Sequence, residues 1–244
     1  MKIIGYLIIK NEEKNLQQNL PTLKVFLDDI VIVDTGSEDK SKEIASKYGK
    51  VFQKEWTDDF AEAKNFAKEK AESEGADWTI WFDADERVTE ETGKKIREKI
   101  LQLPAETQVV MLPWNYAFDA QGRVTLRLQR ERLVRAGVSN WIYPIHEILD
   151  IQDLKHTVWN DCPIDHYRQE WKKGRNLAIF QKIMANEKWA ENPRMLYYYA
   201  NELRDNENYD EAIKVYKEYL KRAWWNEEKV KEIKELKLKD VSAE

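Results

Sequence analysis

Two aspartates, Asp83 and Asp85, directly follow an apolar run at residues 78–82, and they are the side chains best placed to do chemistry in this sequence. The run, Trp-Thr-Ile-Trp-Phe, favours a short buried strand. Because side chains at i and i+2 of an extended chain point to the same side, both carboxylates can face one ligand. Paired carboxylate oxygens suit a hard cation, which usually also binds a substrate's phosphates. The alternative is two solvated acids at a strand end, and the neighbouring segments decide between these interpretations.

Three further polar segments precede this Asp-x-Asp, and each follows a stretch that is typical of a strand. They are Lys10-Asn11-Glu12-Glu13, Asp34-Thr35-Gly36-Ser37, and residues 58–65, Asp-Asp-Phe-Ala-Glu-Ala-Lys-Asn. In open α/β sheets, ligands bind at the edge formed by the carboxyl ends of the strands. We therefore expect all four segments to lie at one edge of one sheet.

The elements that would position these segments alternate between strand and helix. Strands are predicted at 3–9, 30–33, 51–56 and 78–82, and helices at 11–27, 38–48 and 58–74. Acidic residues open the first helix, and Ala63, Ala67 and Ala71 give the third an apolar face. This alternation predicts a parallel sheet flanked by helices, and so an α/β fold.

The pattern changes after about residue 104. Strands at 109–114 and 124–128, joined by a turn at residues 119–122, predict an antiparallel pair, and residues 138–167 suggest mixed loop and strand. We therefore expect a first domain at residues 1–167 and a helical region at residues 168–244.

Within that helical region, residues 193–226 resemble one tetratricopeptide unit, a helix pair of about 34 residues. Such a unit does not bury its apolar face alone. We expect it to pack on the preceding helix, on the first domain, or on a second copy of the chain, which would give a homodimer.

Composition narrows the classes of protein to which this 244-residue chain can belong. Its net charge of -5 does not favour nucleic acid as a partner, because nucleic-acid binding calls for a basic surface. A single cysteine, Cys162, excludes an internal disulfide and a four-cysteine zinc site. The sequence opens on a predicted strand, and no apolar run approaches the roughly 20 residues of a membrane span. A cytoplasmic protein with at most peripheral membrane contact is expected.

Taken in order, the four polar segments resemble the family 2 glycosyltransferases of GT-A fold, and most closely a subgroup in which many members carry tetratricopeptide helices behind the transferase. That subgroup shares a Lys/Arg-Asn-Glu-Glu opening, Val-Asp-Thr-Gly-Ser, Asp-Phe-Ala-x-Ala-Arg/Lys-Asn and Trp-x-Asp-Ala-Asp-Glu. The resemblance covers about residues 1–225 and includes the pair His146-Glu147. It implies a Rossmann-like mixed sheet flanked by helices. It also implies inverting transfer of one sugar from a nucleotide-diphosphate sugar, with UDP the favoured nucleotide, to an acceptor hydroxyl.

The resemblance assigns several residues to the nucleotide sugar. Asp34 matches an acid that accepts a hydrogen bond from the nucleobase, although it could instead cap its own turn. Lys64 and Asn65 match residues that face the nucleotide, the alternative being a solvated helix face. Asn11 and Glu13, in the first polar segment, are assigned to the same site.

The resemblance also places a divalent cation, Mn²⁺ or Mg²⁺, at the Asp-x-Asp. Asp85 would ligate the cation directly, while Asp83 would hold the ribose or support the cation through water. His146 would reach the cation or the diphosphate; the alternative is a hydrogen-bonded histidine in a packed loop.

An inverting transfer needs a base that takes the proton of the incoming hydroxyl. Glu147 is the candidate by its match to the Ile-His-Glu of the family. Glu86 and Asp119 are the competing candidates, and the sequence does not decide among the three.

Two other functions are the alternatives to sugar transfer. A sugar-phosphate nucleotidylyltransferase would use a glycine-rich loop near the N-terminus, whereas Gly5 is the only early glycine. A non-catalytic module that binds nucleotide sugars or proteins through its helices is disfavoured by the intact Asp-x-Asp. For a transferase, the acceptor could be a carbohydrate, a lipid-linked glycan or a peptide.

Overall fold

The computed structural model describes residues 1–167, 174–223, 226, 228, 229, 231 and 233. The predicted start of the helical region, residue 168, lies outside them, as do residues 224, 225 and most of the chain beyond 226. The chain divides into two compact units, Met1–Glu170 and Trp171–Glu244.

The first unit begins with the predicted alternation of strands and helices. In chain order its first elements are β1 (Ile3–Ile9), α1 (Glu13–Lys24), β2 (Asp29–Asp34), α2 (Ser41–Ala45), β3 (Lys50–Gln53), α3 (Phe60–Ser73), β4 (Trp78–Trp81), β5 (Glu86–Arg87) and α4 (Glu90–Ile100). Within the described residues, six strands then follow without a helix between them. They are β6 (Val109–Phe118), β7 (Val124–Arg135), β8 (Trp141–Ile142), β9 (Ile148–Leu149), β10 (His156–Val158) and β11 (Ile164–His166).

In the part of the chain that the structure describes, nine strands form one sheet. Its order is β3-β2-β1-β4-β7-β6-β11-β5, with β10 also paired to β6. The first four strands are parallel, and β7 runs antiparallel to both β4 and β6. In the register of the sheet, Ile9 lies opposite Asp34 and Tyr6 opposite Trp81. The carboxyl ends of β1, β2 and β4 therefore meet at one edge, as the sequence predicts.

Alternating side chains of the central strands enter two apolar layers. Ile3 and Leu7 belong to the layer that includes residues of α1 and α4. Ile4 and Tyr6 point the other way, into the layer that includes the alanines of α3 and the indole of Trp81. Each fully buried side chain of this size contributes about 1.5–3 kcal/mol by leaving water. This burial on both faces holds the site-bearing edge in place.

Helix α2 is shorter than the predicted segment 38–48. The reason is that side chains capture the backbone just before it. The amide N–H of Glu38 donates to Asn11 Oδ1 at 2.8 Å, and the N–H of Ser41 donates to Asp39 Oδ1 at 2.9 Å. These bonds stabilise a turn, so the helix begins only at Ser41.

The antiparallel pair of β6 and β7 is longer than its sequence pattern suggests. Val109 lies opposite Val134 at one end of the pair, and Phe118 lies opposite Val124 at the other. Residues 138–167, expected to be mixed loop and strand, form four strands of two or three residues each. Among them, β11 pairs with β6 and β5, and β8 pairs with β9 in a separate two-stranded sheet.

The second unit is helical, with α5 (Arg175–Met184), α6 (Glu187–Ala190), α7 (Pro193–Asp205) and α8 (Tyr209–Arg222). The predicted helix pair is α7 and α8, which share an apolar cluster that includes Leu196, Ala200, Ala212 and Tyr216. Asn192 caps α7 by accepting the N–H of Met195 at 3.2 Å. No helix in the described part of the chain combines the length and apolar character that a membrane crossing requires.

Candidate active site

The first polar segment binds the second one across the sheet edge. Asn11, at a φ of 56°, donates its backbone N–H to Ser37 Oγ at 2.9 Å. Glu13 accepts the N–H of Lys40 at 3.2 Å. These contacts fix the loops after β1 and β2 relative to each other. The assignment of Asn11 and Glu13 to the nucleotide sugar stays a prediction.

Asp34 ends β2 with its side chain buried and its carboxylate turned onto its own loop. It accepts the backbone N–H of Ser37 at 3.1 Å and that of Gly36 at 3.3 Å. Turn capping, the alternative that the sequence allows, is thus present in the structure. A carboxylate has about four acceptor positions, so this capping is compatible with the predicted bond to a nucleobase.

Asp83 lies at the exit of β4, 3.2 Å from the ammonium of Lys64, and its side chain keeps 37% of its surface exposed. Burial raises the pKa of the Asp83 carboxyl, but the positive charges of Lys64 and Arg132 outweigh it and hold that pKa below its usual value. Asp83 is therefore an ionised carboxylate at the open side of the site.

Asp85 faces a different residue, His166, at the end of β11. The distance from Asp85 Oδ2 to His166 Nε2 is 3.4 Å, and the other ring nitrogen, Nδ1, lies 3.4 Å from the carbonyl oxygen of Tyr116. The imidazole stacks on the Tyr116 ring, with centroids 5.1 Å apart. Burial lowers the pKa of His166, but its hydrogen bond to Asp85 and the nearby negative charge outweigh burial and raise it.

The sequence pattern predicts no role for His166. Its signal there is weak, because Asp165-His166-Tyr167 stands about 80 positions after the Asp-x-Asp and follows no recognisable metal spacing. Strand β11 brings it close by pairing with β5, where His166 lies opposite Glu86.

His146 and Glu147 lie in the turn between β8 and β9. His146 adopts a φ of 51°, in the left-handed region, and the turn is held to α3 by the N–H of Phe60, which donates to the Pro144 carbonyl at 2.7 Å. Glu147 Oε1 lies 2.8 Å from Lys64 Nζ, and its side chain is mostly buried. The structure thus brings Glu147 to the Asp83 side of the site, while the role of His146 stays a prediction.

Lys64 stands between these two acids and between two indoles. Its Nζ is 4.5 Å from the ring of Trp81 and 4.5 Å from the ring of Trp141. Burial lowers the pKa of Lys64, but Asp83 and Glu147 outweigh burial and raise it. The ammonium is therefore a charged group in a cage of two rings and two carboxylates.

Asn65, next on α3, bonds to the backbone of Trp141 in both directions. Its amide nitrogen donates to the Trp141 carbonyl at 2.9 Å, and its amide oxygen accepts the Trp141 N–H at 2.7 Å. The family resemblance implies that Asn65 faces the nucleotide, and this role stays a prediction. Its observed contacts place β8 against α3.

The competing candidates for the base have other partners. Glu86 is fully buried and ion-paired with Arg132, its Oε1 lying 2.6 Å from Arg132 Nη2. Asp119 lies in the β6–β7 turn, 2.7 Å from Arg123 Nε. The backbone N–H and the guanidinium of Arg123 hold the pKa of Asp119 below its usual value.

A divalent cation at this edge would draw on few protein ligands. Within the described residues, no group of three or more His, Cys, Asp or Glu side chains is placed to hold a metal ion. Asp83 and Asp85 would supply two carboxylates, and a bound diphosphate and water would supply the remaining oxygen ligands that Mg²⁺ usually takes. Burial, together with the negative charges of Asp85, Asp39 and Asp83, raises the pKa of the Glu12 carboxyl. The carboxylates of Asp83 and Asp85 are thus of the ligand type that a hard cation prefers, and a cation site at this edge stays a prediction.

A comparison with protein families identifies the family of this chain. The profile of glycosyl transferase family 2 matches residues 6–163. The chain belongs to this family, as the four polar segments suggest.

Two relatives extend the comparison. A TPR repeat-containing protein of Synechococcus elongatus is 28% identical over 180 residues, which are 66% of this chain and 41% of that protein. The SPbeta prophage-derived glycosyltransferase SunS of Bacillus subtilis is 25% identical over 237 residues, which are 89% of this chain and 52% of SunS. The chain thus spans about half, or less, of the length of these relatives.

Solved structures establish the fold. S. aureus TarS 1-349 in complex with UDP-GlcNAc matches with a TM-score of 0.57, covering 92% of this chain and 73% of that one at 15% identity. The likeness confirms the predicted GT-A fold, a mixed sheet flanked by helices.

Proposed function

We propose that this chain transfers one sugar from a nucleotide-diphosphate sugar to an acceptor hydroxyl, with inversion at the sugar carbon. The observation that carries the proposal is the pair of Asp83 and Glu147 on the two sides of one ammonium, at 3.2 and 2.8 Å from Lys64 Nζ. An acid expected on the donor side and a candidate base would thus act close together, beside the end of the parallel strand β4. UDP is the favoured nucleotide, supported by the UDP-GlcNAc and UDP complexes of TarS.

In the proposed reaction, the acceptor oxygen forms a bond to the sugar carbon as the bond from that carbon to the diphosphate oxygen breaks. The bonding electrons leave with the nucleoside diphosphate. Glu147 takes the acceptor proton, so the carboxylate becomes neutral while the departing group gains negative charge. Attack opposite to the leaving group gives inversion.

Asp85 and Asp83 would hold a divalent cation, with the imidazole of His166 beside Asp85 at 3.4 Å. When bound, such an ion offsets negative charge on the departing diphosphate. In the protein itself, Asp83 remains ionised because Lys64 and Arg132 lower its pKa.

The test is a calorimetric titration of the whole chain with UDP, GDP and their sugars, with Mn²⁺ and with a chelator. We expect binding of UDP and a UDP-sugar that depends on the cation. Absence of nucleotide binding under every condition would refute the proposal. Slow hydrolysis of the bound donor, followed by mass spectrometry, then identifies the sugar without knowledge of the acceptor.

A further inference from the structure

The ammonium of Lys64 has little surface left for a substrate. Only 5% of the residue is exposed. Its Nζ contacts Glu147 at 2.8 Å and Asp83 at 3.2 Å, and indole rings lie on two further sides, each 4.5 Å away. A phosphate oxygen needs open approach and a free N–H to bind a lysine.

The cage around Lys64 is built into the core. Trp141 is fixed by Asn65 through two backbone bonds and donates its indole N–H to the Tyr6 hydroxyl at 2.8 Å. The ring of Trp81 meets that of Trp141 edge to face, with centroids 5.0 Å apart. On the same ring the guanidinium of Arg132 lies 3.6 Å from the centroid. Neither indole can move away without breaking these contacts, so the position of the ammonium is determined by the fold.

We infer that Lys64 is a positioning residue, which holds the Glu147 carboxylate beside Asp83, and that it is not a ligand of the diphosphate. This inference rests on the proposed function and reassigns a residue that the sequence gives to the nucleotide. The physical reason is charge. Without the ammonium, Asp83 and Glu147 would be neighbouring like charges with no cation between them, and Glu147, on a turn, would be free to move away.

The decisive variant is Lys64→Met, which keeps most of the side-chain length and removes the charge. We expect the ratio of UDP affinity to uridine affinity, each measured by calorimetry with Mn²⁺, to stay within about threefold of wild type, because no phosphate contact is lost. Turnover in donor hydrolysis should fall about 100-fold with little change in KM, because the base is misplaced.

The matched control is Lys68→Met, one turn further along α3. Lys68 is equally buried and ion-paired, with Glu72 at 2.5 Å, but it lies outside the cage. Its loss tests whether removing any buried ammonium from this helix produces the same result. We expect the affinity ratio and turnover of this variant to remain near those of wild type.

A double variant separates positioning from general damage. If Lys64 acts through Glu147, then adding Lys64→Met to Glu147→Gln should lower turnover by less than about threefold, because the base is already absent. Independent, multiplying losses would contradict the inference. A drop of about tenfold in UDP affinity without a change for uridine would also overturn it, since it would show a phosphate contact.

Lys64→Arg carries the test if the methionine variant does not fold, because arginine keeps the charge and can bond both acids. If the ratio of UDP affinity to uridine affinity is unchanged and turnover stays within about tenfold of wild type, the result supports a positioning role for Lys64. An affinity ratio that falls about tenfold overturns that role.

A wild-type chain that binds no nucleotide refutes the proposed function itself. A wild-type chain that binds and hydrolyses donor, with a selective loss of UDP affinity in the variants, refutes only the inference about Lys64.

Discussion

Glu86 and Arg132 form a bidentate ion pair that is closed to solvent, with both side chains fully buried. The two bonds measure 2.6 and 2.9 Å. Glu86 Oε2 also accepts the backbone N–H of Asp83 at 2.9 Å, and Arg132 donates to the Trp81 carbonyl at 3.2 Å. The pair therefore fixes the turn that presents the Asp-x-Asp to the ligand side of the sheet.

Breaking this pair should destabilise the protein strongly. Glu86→Gln leaves the Arg132 guanidinium charged and uncompensated in the core, and such losses typically cost about 3–5 kcal/mol. The measurement is urea unfolding followed by tryptophan fluorescence. Glu90→Gln is the matched control, since it removes an exposed partner of Lys94 on α4 and should leave the urea midpoint unchanged. Equal midpoints for both variants would contradict a structural role for the Glu86–Arg132 pair.

Helix α4 shows what sequence patterning leaves out. No element is predicted from the pattern at residues 90–100, where Gly93 interrupts an otherwise charged segment with few apolar positions. In the structure Thr89 caps the helix through the N–H of Thr92 at 3.1 Å. Gly93 lies against Phe26, whose Cδ1 would be 2.6 Å from a Cβ at that position. The glycine that weakens the helical pattern is required by close packing, which local sequence does not reveal.

The candidate site, like helix α4, is only partly predictable from local sequence. Asp34, Asp83 and Asp85 are predictable because each follows a strand, and parallel strands end at one edge. The cage of Lys64 is not predictable, because its rings come from β4 and β8, Trp81 and Trp141, and meet only in the folded sheet. A histidine beside the Asp-x-Asp could be anticipated, but only strand pairing shows that His166 occupies that place.

Replacement of Asp85 tests the cation site. Asp85→Ala should abolish the dependence of UDP binding on Mn²⁺, because the carboxylate that is proposed to ligate the cation, next to His166, would be lost. The measurement is calorimetry with Mn²⁺ and with EDTA. Asp161→Ala is the control, since it removes an exposed acid paired with Lys99. Cation dependence that survives in Asp85→Ala would show that this ligand assignment is wrong.

Two histidine variants then decide which imidazole supports the cation. His166→Gln should weaken Mn²⁺-dependent UDP binding by about tenfold, because the residue lies 3.4 Å from Asp85 and such supporting groups typically matter to that extent. His146→Gln tests the ligand that the sequence predicts. A larger loss for His146→Gln than for His166→Gln would favour that assignment.

Arg130 is the cation that we expect to meet the diphosphate. Its side chain is 23% exposed and pairs with its neighbour Glu131 at 3.2 Å. Burial lowers the pKa of Arg130, but Glu131, Asp83 and Glu147 outweigh it, so the guanidinium is charged and close to the site acids. Arg130→Gln should reduce UDP affinity about tenfold with little effect on uridine, since only UDP offers phosphate oxygens. Equal losses for both ligands would refute this role.

Cys162 should be inert to alkylation in the folded protein. Its side chain is fully buried, and burial raises the pKa of the thiol to about 11. At pH 8 the reactive thiolate is then roughly a thousandth of the population, whereas an exposed thiol is deprotonated to roughly a quarter. Iodoacetamide labelling followed by mass spectrometry should therefore be slow in buffer and fast in urea. Rapid labelling of the native chain would contradict the packing of this segment.

Replacement of Glu147 distinguishes the base from its competitors. Glu147→Gln keeps the shape of the side chain but has no carboxylate to accept a proton, so turnover in donor hydrolysis should fall by about 10²–10⁴ while the affinity for UDP is retained. Asp119→Asn is the comparison, and we expect it to turn over donor like wild type because the side-chain bonds of Asp119 stay within its own β6–β7 turn. If Asp119→Asn loses turnover and Glu147→Gln does not, the proton acceptor is Asp119 in the β6–β7 turn. If both variants lose UDP affinity together with turnover, neither acid is the base, because a base that acts only on the acceptor does not contribute to nucleotide binding.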